Sequence, residues 1–95
     1  MQYLFLMVDL FGIPLRVEGE PARRSWPVTL SDQLKKDVIE WNERFGPLIA
    51  AEHLYSAEDR RSQCAALNEE GRQLANRIAA EVSGGAKVRY VPEEL

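Results

Sequence analysis

A chain of 95 residues, of which 45% are hydrophobic and 28% charged, has the composition of one small globular domain over residues 1–95. Its formal charge of −3, from 15 acidic and 12 basic residues, argues against nucleic-acid binding, which usually needs a basic surface. One cysteine excludes an intrachain disulfide, and no apolar run approaches the roughly 20 residues of a membrane span. We therefore expect a cytoplasmic protein with no membrane association.

The first part of the chain is predicted to form a β-hairpin followed by a loop. Residues 3–8 form a continuous apolar run, which is typical of a strand buried on both faces. Gly12 and Pro14 indicate a turn, and residues 15–18 then alternate apolar and polar side chains, as a half-exposed edge strand does. Residues 19–27 contain one glycine and two prolines, which predict a surface loop.

The first helix is predicted to begin after Ser31, whose hydroxyl can accept a free backbone N–H of the first turn. Apolar residues then recur every three or four positions and predict one buried face: Leu34, Val38, Trp41, Phe45 and Leu48. The Gly46-Pro47 pair predicts that the helix ends or kinks there, because proline disfavours helical geometry in the preceding residue. Residues 50–55 are ambiguous.

The second helix has a similar pattern and is predicted to begin after Ser56, followed by acidic residues in its first turn. Its apolar face consists of Cys64, Leu67, Gly71, Leu74, Ile78 and Val82. Glycine within a helix costs about 1 kcal/mol relative to alanine, so Gly71 predicts a close approach by another element, near Trp41. The Ser83-Gly84-Gly85 segment should end the helix.

A final strand over residues 86–91 places Val88 and Tyr90 on one face. The order of elements is therefore β-β-α-α-β. If the helices form an antiparallel hairpin, the last strand runs parallel to the first, and the apolar first strand belongs between the other two. We predict an α/β fold of the two-layer α+β type, with a mixed three-stranded sheet in the order 2-1-3 and the helical hairpin on one face.

Few residues suggest catalysis or metal binding. His53 is the only histidine and Cys64 the only thiol, so an ordinary zinc site cannot be completed, and we expect neither metal nor cofactor. Cys64 as a nucleophile with His53 as its base is one alternative. Because Cys64 falls on the apolar face of the second helix, we prefer to interpret it as a small buried hydrophobic residue.

Asp9 has two interpretations. It follows a strand, and Glu18, Glu20 and Asp59 could join it around a cation such as magnesium. None of these spacings is diagnostic, and an aspartate whose side chain bonds to nearby turn backbone is the preferred interpretation.

The loop carries the best candidate for a recognition surface. Trp26 lies in a polar, irregular segment, and tryptophan is enriched at binding hot spots. The predicted partner-binding residues are Glu18, Glu20, Arg23, Arg24 and Trp26. The alternative is that the Trp26 indole only attaches the loop to the core.

Several segments between residues 30 and 90 resemble a family of small bacterial proteins. These are Leu30-Ser31, Leu34, Asp37, Trp41-Asn42, Phe45, residues 71–75 and Val88-Arg89-Tyr90. The pattern resembles that of immunity proteins of contact-dependent growth inhibition systems, which bind and neutralise the toxic C-terminal domain of a delivered toxin. The resemblance covers a helical hairpin and implies no shared binding motif.

Three functions remain open, in order of preference. The first is a non-enzymatic protein-binding role, as an immunity protein whose acidic surface and aromatic anchor cover a basic toxin domain. The second is a small regulatory or structural bacterial domain that self-associates, for example as a homodimer. The third is an enzyme of a kind that the motifs do not identify.

Overall fold

The computed structural model describes residues 1–21 and 23–95, and the backbone alone of Glu52. Ala22, inside the predicted loop, lies outside the described residues. The order of elements is β-β-α-α-β, as predicted, with a single turn of 3-10 helix, Glu52–Leu54, between the two helices. The strands and helices are β1 (Gln2–Leu6), β2 (Leu15–Val17), α1 (Asp32–Ala50), α2 (Ala57–Glu81) and β3 (Ala86–Tyr90).

The sheet has the predicted order β2-β1-β3. β2 runs antiparallel to β1, with Leu6 opposite Leu15, and β3 runs parallel to β1, with Leu6 opposite Tyr90. Both helices pack on the face that carries Leu4 and Leu6, which are 1% and 0% exposed. The predicted α+β fold class is confirmed.

The prediction that the first strand is buried on both faces is wrong. Leu4 and Leu6 are buried, but Tyr3 is 53% exposed and Phe5 is only partly buried. Both helices pack against Leu4 and Leu6, so the alternate side chains of β1 point to the opposite side of the sheet, where Tyr3 is largely open to solvent. The strand is apolar throughout, yet only half of it contributes to the core.

Helix α1 begins where predicted. The Ser31 hydroxyl accepts the Leu34 N–H at 3.2 Å, and Ser31 in turn donates to the Glu81 carboxylate of the other helix. The predicted core positions of both helices are buried: Leu34, Val38, Trp41, Phe45, Leu67, Leu74 and Ile78.

Helix α1 does not end at Gly46-Pro47; it continues to Ala50. Pro47 removes one backbone hydrogen bond, but Gly46 has no Cβ to clash with the proline ring. The extra turn buries Leu48 to 1% exposure, and the Ala51 N–H donates to the Pro47 carbonyl at 2.9 Å. Burial of a leucine side chain, worth about 1.5–3 kcal/mol, offsets much of the cost of the proline.

Helix α2 begins after Ser56, whose hydroxyl accepts the Asp59 N–H at 3.1 Å. It ends at Glu81, and Gly84 and Gly85 both have positive φ angles, 82° and 87°, which explains why glycine occupies this turn. The antiparallel pairing of the helices is marked by two ion pairs: Asp37 with Arg77 at 3.0 Å, and Arg44 with Glu70.

Gly71 allows the close approach that the sequence predicts. A Cβ at this position would lie 2.9 Å from Trp41 Cζ2 and 2.2 Å from Tyr90 Cε1. The Tyr90 ring therefore packs directly on the α2 backbone and meets the Trp41 indole edge-on, with 5.9 Å between ring centroids. The Trp41 Nε1–H donates to the Leu67 carbonyl at 2.8 Å, which satisfies its buried polar atom.

The chain that follows β3 is held by Asn68, a buried residue of α2. Its side chain donates to the Glu93 carbonyl at 2.9 Å and accepts the Glu93 N–H at 3.0 Å. The Tyr90 hydroxyl also donates to Asn68 Oδ1, at 2.5 Å, and burial raises the pKa of Tyr90 well above its usual range. One buried amide thus joins α2, β3 and the C-terminal segment.

Candidate functional site

The turn between β1 and β2 is built around Asp9. The Asp9 carboxylate accepts the Phe11 N–H at 3.0 Å and an Arg16 guanidinium N–H at 3.0 Å. The hydrogen bond from Phe11, and after it Arg16, lowers the pKa of Asp9, so the side chain is ionised at neutral pH. The preferred interpretation of Asp9 as a turn-forming residue is confirmed.

The same turn is attached to helix α1 by Asn42. The Asp9 N–H donates to Asn42 Oδ1 at 3.0 Å, and Asn42 Nδ2 donates to the Asp9 carbonyl at 2.8 Å. Asn42 is buried, and these two bonds satisfy a side-chain amide that would otherwise be costly to bury. The arrangement matches that of Asn68 on Glu93: one buried amide bonds to both backbone groups of one residue.

Phe11 is the functional candidate that the sequence interpretation missed. Its side chain is 100% exposed, and the neighbouring Leu10 is 40% exposed. The aromatic ring is in full contact with water, and hydrogen bonds hold the turn that carries it. An exposed large apolar side chain of this kind is a candidate anchor for a binding partner. The only signal in the sequence is that two large apolar residues precede Gly12 in a turn, where polar residues are usual.

The predicted recognition residues do not all come together. Arg23 and Arg24 line an open cleft with Asp9, Phe11 and Gly12. We call Leu10, Phe11, Arg23 and Arg24 the hairpin-tip patch. Both arginines are exposed, and Arg23 is paired with Glu20.

Glu18 is exposed and follows the far end of β2, where its N–H donates to the Tyr3 carbonyl. Glu20 is also exposed, and its carboxylate pairs with Arg23, so Glu20 lies beside an arginine of the hairpin-tip patch. Trp26 is partly buried and packs against the core, so much of the ring contacts the protein itself. The loop therefore contributes its arginines to the turn, while its tryptophan also attaches the segment to the core.

The remaining chemical candidates are separate from this patch. His53 is exposed in the 3-10 turn, whereas Cys64 is 4% exposed on α2 and donates to the Glu93 carbonyl at 3.2 Å. Burial raises the pKa of the Cys64 thiol, which lowers its nucleophilicity at neutral pH and agrees with a packed hydrophobic residue.

Two further observations concern metals and membranes. Within residues 1–21 and 23–95, no group of three or more histidine, cysteine, aspartate or glutamate side chains is arranged to hold a metal ion. No helix in the described part of the chain combines the length and the apolar character needed to cross a membrane.

Comparison with known proteins agrees with the resemblance seen in the sequence. No curated protein matches the chain. A family model, Serratia CdiI immunity protein-like, matches residues 2–93, which include the whole sheet, both helices and the hairpin turn. The chain therefore belongs to the Serratia CdiI immunity protein-like family.

Proposed function

We propose that this protein is a non-enzymatic immunity protein that binds the toxic domain of a cognate growth-inhibition toxin and neutralises it by covering a surface that the toxin needs. The family assignment supports an immunity role. The observation that carries the binding mode is Phe11, fully exposed on a turn that Asn42 and Arg16 hold in place. The hydrogen bonds hold the turn backbone that carries Phe11, so binding needs to order the ring but not the turn, which lowers the entropy cost of binding.

The hairpin-tip patch supplies the elements of a small hot spot. Phe11 and Leu10 would enter an apolar depression of the toxin, and the guanidinium groups of Arg23 and Arg24 would meet acceptors at its rim. Glu18, Glu20 and Trp26 remain predicted contacts of the same interface. Neutralisation by this mode is stoichiometric and requires no bond to be made or broken.

The sequence also predicts a basic toxin domain, on the basis of the net charge of −3. The sign of the charge on the toxin surface remains a prediction. The charges that lie at the interface determine electrostatic complementarity, and the two arginines of the hairpin-tip patch are cationic in a chain that is acidic overall.

The test is a binding measurement between the full chain and the C-terminal toxin domain encoded next to it. Phe11→Ala should weaken the complex about 30-fold, mostly through faster dissociation, because a hot-spot residue is worth roughly 2 kcal/mol. Its melting temperature should stay unchanged, since the ring contacts water in the free protein.

Leu54→Ala is the matched control, because Leu54 is also a large exposed apolar residue, at 73%, but belongs to the 3-10 turn between the helices and not to the hairpin-tip patch. It should bind like the wild type. Trp26→Ala separates the two interpretations of that residue: a lower melting temperature indicates a structural role, and weaker binding with an unchanged melt indicates a contact. Failure of the wild-type pair to associate at micromolar concentration would reject the immunity function, and light scattering on the free chain would then test self-association.

A further inference from the structure

The second candidate surface is the face of the sheet that the helices leave uncovered. Strand alternation places Leu4 and Leu6 towards the helices and Tyr3 and Phe5 on the opposite side. Residues paired with Tyr3 and Phe5 across the sheet share that side. We call this surface the open sheet face and define it by Tyr3, Phe5, Arg16, Lys87 and Arg89.

The strand register places cations around the two aromatic rings. Phe5 lies between Arg16 of β2 and Arg89 of β3, and Tyr3 lies beside Lys87. Adjacent strands of a sheet lie about 4.7–4.9 Å apart, so these neighbouring side chains form one continuous surface. The open sheet face combines tyrosine and arginine, two residue types enriched at protein interfaces.

Most of this positive charge is not neutralised within the protein. Lys87 and Arg89 are exposed, and neither has an ion-pair partner in the part of the chain that the structure describes. Arg16 uses one terminal nitrogen on Asp9, while its buried Nε lacks an acceptor among the same residues. One exposed acid shares this side: Glu18, two residues beyond Arg16, whose backbone N–H donates to the Tyr3 carbonyl.

The net charge of the chain conceals this distribution. Residues 31–82, which contain both helices, hold ten acidic and seven basic residues. Residues 1–30 and 83–91, which contain the sheet and its loops, hold five basic and only three acidic residues. Residues 92–95, which follow β3, add Glu93 and Glu94, so the segments outside the helices hold five basic and five acidic residues and carry no net charge. The excess of three acidic residues lies in residues 31–82, whereas the cations Arg16, Lys87 and Arg89 are concentrated on one face of the sheet.

We propose that the open sheet face docks against an acidic surface of the toxin domain. This inference rests on the proposed function. β1 leads from Tyr3 and Phe5 directly into the turn that carries Phe11, and Arg16 bonds to Asp9 at the base of that turn. The open sheet face and the hairpin-tip patch are thus parts of one surface, on which aromatic rings provide apolar contact and arginines provide the sign of charge.

A nucleic acid would also be attracted by cations and aromatic rings, but the observations favour a protein. Non-specific binding to a phosphate backbone depends on several charge neutralisations, and it weakens steeply with salt. The open sheet face offers three cations, one of them already bonded to Asp9, beside Glu18 on a chain of net charge −3. An acidic protein surface needs fewer cations for complementarity.

The test compares two double charge reversals in the full chain. Lys87→Glu/Arg89→Glu changes the open sheet face, and Lys36→Glu/Arg61→Glu makes the same change in net charge at exposed positions of the helices. Association with the toxin domain is measured at about 50 mM and about 500 mM salt, since screening suppresses the electrostatic contribution. Melting temperatures of both variants establish that they fold.

The sheet variant should associate about tenfold or more slowly at low salt, and the helical variant less than about threefold, with the difference diminishing at high salt. Lys87→Gln/Arg89→Gln should show a smaller effect in the same direction. If both charge reversals slow association equally, the open sheet face is not the docking surface. The same conclusion follows if the sheet variant associates faster, as it would with a basic toxin surface. Either result leaves the proposed immunity function intact. Absence of wild-type binding overturns both. If the wild type binds single-stranded RNA and the charge reversal on the sheet abolishes that binding, the open sheet face is a nucleic-acid site instead.

Discussion

Replacement of Gly71 by alanine tests the tightest contact in the fold. The added Cβ would lie 2.2 Å from Cε1 and 2.6 Å from Cζ of Tyr90, and 2.9 Å from Cζ2 of Trp41. Neither ring can move freely, because the Tyr90 hydroxyl is bonded to Asn68 and the Trp41 indole N–H to the Leu67 carbonyl. A methyl group at position 71 must therefore displace a tethered ring or separate α2 from β3.

The expected cost follows from three contributions. Overpacking of a filled core costs about 1–3 kcal/mol, and loss of the hydrogen bond from Tyr90 to Asn68 costs about 1 kcal/mol more if the ring swings away. Alanine has a higher helix propensity than glycine, and this stabilises the folded state by about 1 kcal/mol. The net free energy of unfolding should fall by about 2 kcal/mol, which for a chain of this size lowers the melting temperature by roughly 10 °C.

Thermal unfolding followed by circular dichroism measures this change, with Gly46→Ala as the control. A Cβ at Gly46 in α1 would meet nothing within 4 Å beyond its chain neighbours. Its stability should shift by less than about 1 kcal/mol, because gained helix propensity is opposed by crowding against Pro47. If Gly71→Ala melts at or above the wild-type temperature, the close packing of Tyr90 on α2 is wrong.

Three further substitutions test the core and the turn. Trp41→Ala should destabilise the protein by about 3–5 kcal/mol, and an unchanged melt would contradict the assignment of the buried face of α1. Asn42→Ala leaves the backbone N–H and C=O of Asp9 without their partner at a cost of about 2 kcal/mol; hydrogen exchange should accelerate at residues 9–12, and unaltered protection there would refute the role of Asn42. Because the pKa of Asp9 is lowered in the folded state, its charge stabilises the protein above its ordinary pKa of 3.8, and that contribution is lost as pH falls through the lowered value. The stability difference between wild type and Asp9→Asn should therefore shrink in acid melts below pH 3.8, and a difference independent of pH would exclude the ionised carboxylate as its source.

The sequence by itself determined the elements and their order. Helix faces follow from a period of three to four residues, and the two serine caps follow from the hydrogen-bonding capacity of a hydroxyl beside a free N–H. The positions of Ser31, Ser56 and Gly71 could be interpreted correctly because each is a local requirement of one helix. The sheet order followed from connectivity, since an antiparallel helical hairpin leaves few ways to place a third strand.

The residues of the candidate site depended on contacts between distant segments. Asn42 is 33 positions from Asp9 in the sequence, and the helical pattern around it does not indicate this contact. Phe11 is fully exposed because the turn between β1 and β2, which Asn42 attaches to α1, leaves its side chain outside the core.

Only the tertiary structure decided that one face of the sheet stays uncovered. The apolar run of β1 is compatible with burial on one side or on both, because strand periodicity does not report how many layers pack against a sheet. Two helices on the same side leave Tyr3 beside Lys87 and Phe5 beside Arg89 on the opposite face, and the excess of acidic residues lies in the helical segment. Composition sums charge over the whole chain, whereas recognition depends on which charges the fold places together.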